Sequence, residues 1–131
     1  MLRRDLLSGI AALAALAATV PGAMAQDTVK IGLILPMTGP FASTGRQVEA
    51  AVRLYMAEHG TSVAGKKIEL IVKDDTNVAD VSKRLAQEMV VNDGVKILAG
   101  FGLTPLALAV APISAQAKVP QIVMAAGTSI I

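Results

Sequence analysis

The sequence predicts an α/β fold, a doubly wound parallel sheet with helices on both faces. Three observations predict it. Short apolar runs rich in Val, Ile and Leu recur along the chain, stretches with apolar residues at helical spacing alternate with them, and each junction carries Gly, Pro, Ser, Thr or Asn. The order reads β-α-β-α-β-α-β, with no internal repeat and no low-complexity linker.

Thr28 to Leu35, TVKIGLIL, has little polar alternation after Lys30 and fits a strand buried on both faces. The eleven residues from Leu35 to Gly45, LPMTGPFASTG, then form a long connection of small, hydroxyl-bearing and proline residues. A bare strand-to-helix turn needs only about two to six residues. From Arg46 to His59, Val48, Ala51, Val52, Tyr55 and Met56 fall on one side of a helix that Gly60 stops. A polar turn leads to the second strand, Lys67 to Asp75. Asn77 is placed to cap the next helix, with Asp80 in its first turn and Val81, Leu85, Met89 and Val90 as its apolar stripe. Asn92-Asp93-Gly94 ends that helix, and Val95 to Gly100 is the third strand. Thr104 then Pro105 reads as a hydroxyl cap followed by a first-turn proline. The helix runs through Ala117, with Pro112 expected to kink or shorten it. Val119 to Met124 is the fourth strand.

Ahead of this domain, Met1 to Ala25 combines Arg3 and Arg4, an apolar middle and Ala23-Met24-Ala25, the order of a cleaved secretory signal. The pair Arg3-Arg4 fits twin-arginine export as well as the general route. The signal inflates the hydrophobic fraction of 53%. Arg3, Arg4 and Asp5 lie in it, so residues 26–131 carry ten basic and nine acidic side chains. Such balance, with few aromatic residues, argues against a nucleic-acid partner. An exported chain without cysteine must rely on its hydrophobic core.

Ligands of open parallel sheets bind beyond the carboxyl ends of the strands. The loops there run over 36–44, 74–77, 101–104 and 125–129. Helix N-termini with small side chains make ready anion sites, and Thr38, Ser43 and Thr104 add hydroxyls. Caps and turns use the same residue types, so each residue alone remains open between the two roles. Catalysis finds little support. The single histidine, His59, ends a helix without a nucleophile pattern, and one His without Cys makes no metal cluster. Asp74-Asp75 reads as a solvated strand end with one carboxylate capping Thr76 or Asn77. Gly39 to Gly45 lacks the Lys-Ser/Thr of a phosphate loop, and Gly100-Phe-Gly102 lacks the third glycine of a dinucleotide fingerprint.

The segments IGLILPMTGPFASTGRQVEAAVRLYM, IELIVKDDTN, VVNDGVKILAGFG and APISAQAKVPQIVMAAGTS resemble the substrate-binding proteins of branched-chain amino acid ABC transporters, the leucine-binding-protein family. The resemblance implies a type I periplasmic binding fold, two α/β lobes closing on a small ligand. It implies that residues 26–131 are the N-terminal part of the first lobe, with the second lobe absent. It also implies a periplasmic, non-enzymatic role without cofactor or metal, with a small carboxylate or amide as ligand and the membrane permease subunits as partners. In such proteins a hydroxyl after the third strand grips the ligand carboxylate, a position matched by Thr104. A small-residue loop after the fourth strand, matched by Ala125, Ala126 and Gly127, adds backbone groups. The family commonly has Ala-Ala-Thr or Ser-Ala-Thr there, so Gly127 departs and Thr128 would have to compensate. Thr44 stands where a tyrosine often sits. The expected ligand set is therefore Thr38, Thr44, Thr104, Ala125, Ala126, Gly127 and Thr128. A sensor lobe for an aromatic acid or amide, or a truncated product without function, remain the alternatives.

Overall fold

The computed structural model describes residues 27–127. The expected signal at 1–25 and the candidate Thr128 lie outside the described residues. Five strands and three α-helices follow in the order β1 (Thr28–Leu35), α1 (Ala42–His59), β2 (Ser62–Val63), β3 (Lys66–Asp74), α2 (Ala79–Glu88), β4 (Ile97–Gly100), α3 (Thr104–Ala117) and β5 (Gln121–Val123). The sheet order is β2-β3-β1-β4-β5. All pairings are parallel except the short β2–β3 pair at one edge. This is a doubly wound α/β sheet, as expected.

β1 lies in the middle, and its side chains alternate between two cores. Leu33 and Leu35 meet Ala99 and α1 residues Val48 and Val52 on one face. Ile34 meets Leu98, Phe101, Leu85 and Ala86 of α2, Met89 just beyond it, and Ala107 and Val110 of α3 on the other. That alternation explains the unbroken apolar run in the sequence, because both faces of a central parallel strand are covered. The α1 face is the thinner cover. Leu54 and Tyr55 of α1 are exposed, and an apolar groove of about 300 Å³ opens between α1 and the starts of β1 and β3.

Several boundaries differ from expectation. α1 starts at Ala42 rather than Arg46, so Ser43, Thr44 and Gly45 belong to its first turn. The reason is packing: Gly45 is buried, and a Cβ there would collide with the carbonyl oxygen of Pro36. Close approach overrides the poor helix propensity of glycine. On α1 itself, Val48, Val52 and Met56 are half-buried, whereas Ala51 and Tyr55 face outward. Tyr55 stacks on His59 with ring centroids 4.0 Å apart. The polar turn after Gly60 contains the hairpin strand β2, too short for a periodic signal. Pro112 neither ends nor shortens α3, which continues to Ala117. Leu108 and Pro112 lie on its exposed side, where solvent can serve the carbonyl that the proline cannot pair.

α2 widens into a π-helical turn, Met89–Asp93, closed by Gly94 in the left-handed region at φ 68°. A π turn brings residues five apart together. Lys73 on β3 exploits this, its Nζ pairing with Glu88 at 2.6 Å and Asp93 at 3.2 Å. The Glu88 hydrogen bond is the main reason its ammonium is held above the ordinary lysine value, against the opposing effect of burial.

Glycine tolerance separates packing from backbone strain. Gly100 has φ 111°, and a Cβ would strike the Ile34 carbonyl oxygen, whereas Gly94 at φ 68° has open space around it. Gly100→Ala is expected to lose more than about 2 kcal/mol and Gly94→Ala about 1 kcal/mol. Urea unfolding midpoints check this, and equal losses would contradict it.

Candidate functional site

Every helix of the sheet follows a parallel strand, so all three helix N-termini meet the carboxyl edge. None of them has a side-chain cap: the N-cap positions are Phe41, Val78 and Leu103. The first N–H groups of a helix lie at its positive end, so this edge carries partial positive charge, although Ala42, Thr44 and Leu106 already donate to the Gly39, Phe41 and Leu103 carbonyls and Pro105 has no N–H. Two sequence expectations change here. Asn77 does not cap α2, because it stands one residue before the Val78 N-cap. Thr104 does not cap α3 either, because it is the first helical residue, and its hydroxyl donates to the Gly127 carbonyl at 3.1 Å.

The loops are tied to one another along the edge. Pro36, buried at the end of β1, supports two of them. Gly45 approaches its carbonyl, and a Cβ at Gly102 would lie 2.6 Å from its Cγ. The Phe101 N–H donates to Ile34, and the Ala126 N–H donates to the Phe101 carbonyl at 3.0 Å. Phe101 is fully buried with φ 65°, a left-handed conformation uncommon for a bulky residue. Its ring sits in the α2–α3 core, while its backbone joins the loops after β4 and β5.

On the other side of Pro36, Asp74 locks the first loop to the β3 end. Its Oδ1 accepts the Met37 and Thr76 N–H groups, both at 2.9 Å, and its Oδ2 accepts the Thr38 hydroxyl at 2.7 Å. Burial alone would push this carboxyl up. The Thr38 hydroxyl and the Thr76, Met37 and Thr38 N–H groups outweigh burial and hold it below the ordinary carboxylate value. Asn77 Nδ2 adds a bond to the Thr38 carbonyl at 2.9 Å. Asp74 and Asp75 are thus not a solvated strand end. Asp74 accepts the Thr76 N–H, Asp75 accepts the Asn77 N–H, and Asp75 is fully buried.

Of the expected ligand residues, the structure brings Thr104, Ala126 and Gly127 together and places Thr38 on the same edge across Pro36. Ala125 is exposed beside Ala126. Thr44 lies inside the first turn of α1, half-buried, with its N–H bonded to the Phe41 carbonyl at 3.0 Å. Sequence reasoning missed Asp74 and Asn77 as organisers of the first loop. It also missed Arg46, whose Nη1 reaches the Met37 carbonyl at 3.4 Å and puts a cation at the rim. The signal for Arg46 was its place immediately after Gly45. Among the described residues, no three His, Asp or Glu side chains gather in a metal-holding group.

The sequence matches the family described as "Periplasmic binding protein" over residues 28–129. A Leu/Ile/Val-binding protein homolog 6 of Brucella abortus is 48% identical over 104 residues, 79% of this chain and 27% of that protein. A solute-binding protein of an ABC transporter from Rhodopseudomonas palustris BisB5, solved with 3,4-dihydroxybenzoic acid, is 64% identical with a TM-score of 0.78, covering 79% of this chain and 29% of that one. Another from R. palustris, solved with 4-hydroxybenzoate, is 41% identical with a TM-score of 0.76, covering 79% and 28% respectively. The chain thus spans between a quarter and a third of the length of these relatives.

The Thr38–Asp74 lock predicts a pH effect. A carboxyl lowered in the folded state adds stability above its unfolded value of 3.8, and that stability is lost as pH falls through the folded value. Thr38→Val removes one donor, so Asp74 should titrate nearer 3.8 and acid unfolding should begin at higher pH. Circular dichroism during acid titration tests this, and coincident curves would refute it.

Proposed function

The chain belongs to the periplasmic-binding-protein family, and from that premise we propose that it is the leading part of the first lobe of a periplasmic solute carrier for an ABC transporter. The role is capture and delivery to the permease subunits, without catalysis. The ligand we propose is a small aromatic carboxylate. A carboxylate fits an edge with three helix N-termini that lack side-chain caps and with Arg46 nearby, and the Thr104 hydroxyl joins them by turning its one hydrogen from the Gly127 carbonyl to the ligand.

One observation carries the choice of an acid over an amino acid. Asp74 at the end of β3 is taken up by internal donors, and Asp75 beside it is fully buried, so neither side chain offers a charged acceptor for an ammonium group at that loop. Exposed Phe41 at the start of α1 offers an apolar surface on the same edge. The identity to the two benzoate-bound proteins supports the same class. A second reading, a branched-chain amino acid, is favoured by the Brucella relative's name and its 48% identity.

Energetics assign a large part of the affinity to the rest of the carrier. Two or three charge-assisted hydrogen bonds contribute about 1.5–3 kcal/mol each. Association costs several kcal/mol, about 4 or more, in lost freedom. Residues 27–127 alone should therefore bind weakly, and closure of a second lobe should supply the remainder.

Isothermal titration against 3,4-dihydroxybenzoate, 4-hydroxybenzoate and leucine tests the proposal in a protein of the relatives' length. The aromatic acids are expected to bind at least about tenfold more tightly than leucine, a difference of about 1.4 kcal/mol. Thr104→Val should weaken them by a similar factor. Tighter binding of leucine would overturn the ligand class.

A further inference from the structure

The β3 turn holds one carboxyl group that the rim bonds leave incomplete. Asp75 is 0% exposed. Its Oδ1 accepts a single backbone donor, the Asn77 N–H at 2.9 Å, and its Oδ2 has no donor among the described residues. Asn77 shows the complementary defect two positions on. Its Nδ2 holds the Thr38 carbonyl, but its Oδ1 is enclosed and has no donor either. One turn therefore encloses two oxygen atoms, each lacking a hydrogen.

The charged groups around the turn offer no relief. Asp74, next in sequence, is an acid saturated by its own donors. Lys73, on the same strand, is engaged with Glu88 and Asp93. Arg46 on α1 is turned to the Met37 carbonyl, and Asp80 in the first turn of α2 is another acid. The α2 N-terminus favours an anion in general, yet Asp75 Oδ2 accepts none of its N–H groups. An ionised Asp75 would be an enclosed charge with one backbone donor, which proteins avoid by taking up a proton. A proton turns Oδ2 from a deprived acceptor into a donor, and Asn77 Oδ1 is the acceptor in the same turn that needs one.

We propose that Asp75 is a positioning residue for the binding edge: as a neutral carboxylic acid it hydrogen-bonds Asn77, and Asn77 in turn fixes the Thr38 loop. Two adjacent carboxyls are thereby handled in opposite ways, Asp74 as a charged acceptor of three donors and Asp75 as an uncharged donor. Burial pushes the Asp75 carboxyl above the ordinary range. The Asn77 N–H opposes this, and the neighbouring charge on Asp74 reinforces it.

The sign of the pH dependence follows. A carboxyl raised in the folded state adds stability that is complete below its unfolded value of 3.8 and disappears as pH rises through the raised value. The Asp74 contribution changes on the other side, below 3.8, so the two windows separate. The test is thermal unfolding of the full chain and of D75N and D75A between about pH 4 and about pH 9. In the wild type the melting temperature should fall across the Asp75 window. D75N, whose amide is a permanent donor of the same shape, should remove that fall and keep slow amide exchange at Thr38. D75A should lose stability and speed exchange there. A D75N profile that tracks the wild type would overturn the proposal. A readout on the wild type covers the case in which the variants do not fold. Infrared spectra of protein with 13C-labelled aspartate should show a protonated carboxyl band that persists above the ordinary aspartate range, at about pH 5. If every aspartate is ionised there, Asp75 does not carry the proton and the proposal falls.

Discussion

No side chain larger than hydrogen fits between Pro36 and residues 45 and 102, and the layout of the sheet's carboxyl edge depends on that constraint. Pro36 ends the central strand. Gly45 brings α1 against its carbonyl, and Gly102 brings the loop before α3 against its ring. Two helix N-termini are therefore set relative to β1 by direct contact rather than by flexible connection. Loops anchored this way have little freedom to lose when a ligand arrives, and preorganisation of that kind favours binding. The glycine and proline content of LPMTGPFASTG serves this close approach first. Its hydroxyls are secondary, since Thr38 is engaged with Asp74 and Thr44 sits within a helical turn.

The second organising feature is the unequal treatment of Asp74 and Asp75. The Asp74 carboxyl, at the last residue of β3, reaches the Thr38 loop, whereas Asp75, the next residue, is fully buried. The first collects three hydrogen-bond donors, and the second collects one. Environment rather than residue type sets their charge, as in paired carboxyls whose surroundings push their titrations apart. Thr76 and Asn77 both adopt left-handed conformations, at φ 51° and 63°, to make this turn. Non-glycine residues hold such angles only where their surroundings fix them. The bonds from the Thr76 and Asn77 N–H groups to the two side-chain carboxyl groups provide that fixation.

The order of strands and helices was legible in the sequence because it rests on periodicity, and buried parallel strands leave an unmistakable run such as IGLIL. Long-range contacts were not legible. The start of α1 was misplaced because Gly45 looks like a helix breaker until Pro36 is set beside it. The hairpin strand β2 is too short to show a period, and the π turn after α2 is supported by Lys73, which is distant in sequence. At the edge, the location of Thr38, Thr104 and Ala126 was legible from topology alone. What their side chains and backbones hold was not. Thr104 looked like a helix cap because a threonine before a proline usually is one. Its hydroxyl reaches instead to Gly127, 23 residues away.

Connectivity and side chains divide the work of this edge. With every long strand parallel, each connection after β1, β3 and β4 begins at the carboxyl end, so helix N-termini gather there whatever the loops contain. A preference for negative charge is therefore a property of the fold. The dipoles differ little among the three N-termini, although Pro105 removes one N–H from α3. Discrimination among anions therefore rests on the side chains and close contacts that the loops add: Phe41, Arg46 and the joined Thr104–Gly127 pair. Gly127 contributes the carbonyl that the Thr104 hydroxyl holds. Loops fastened in this way can change their side chains without disturbing the contacts around Pro36.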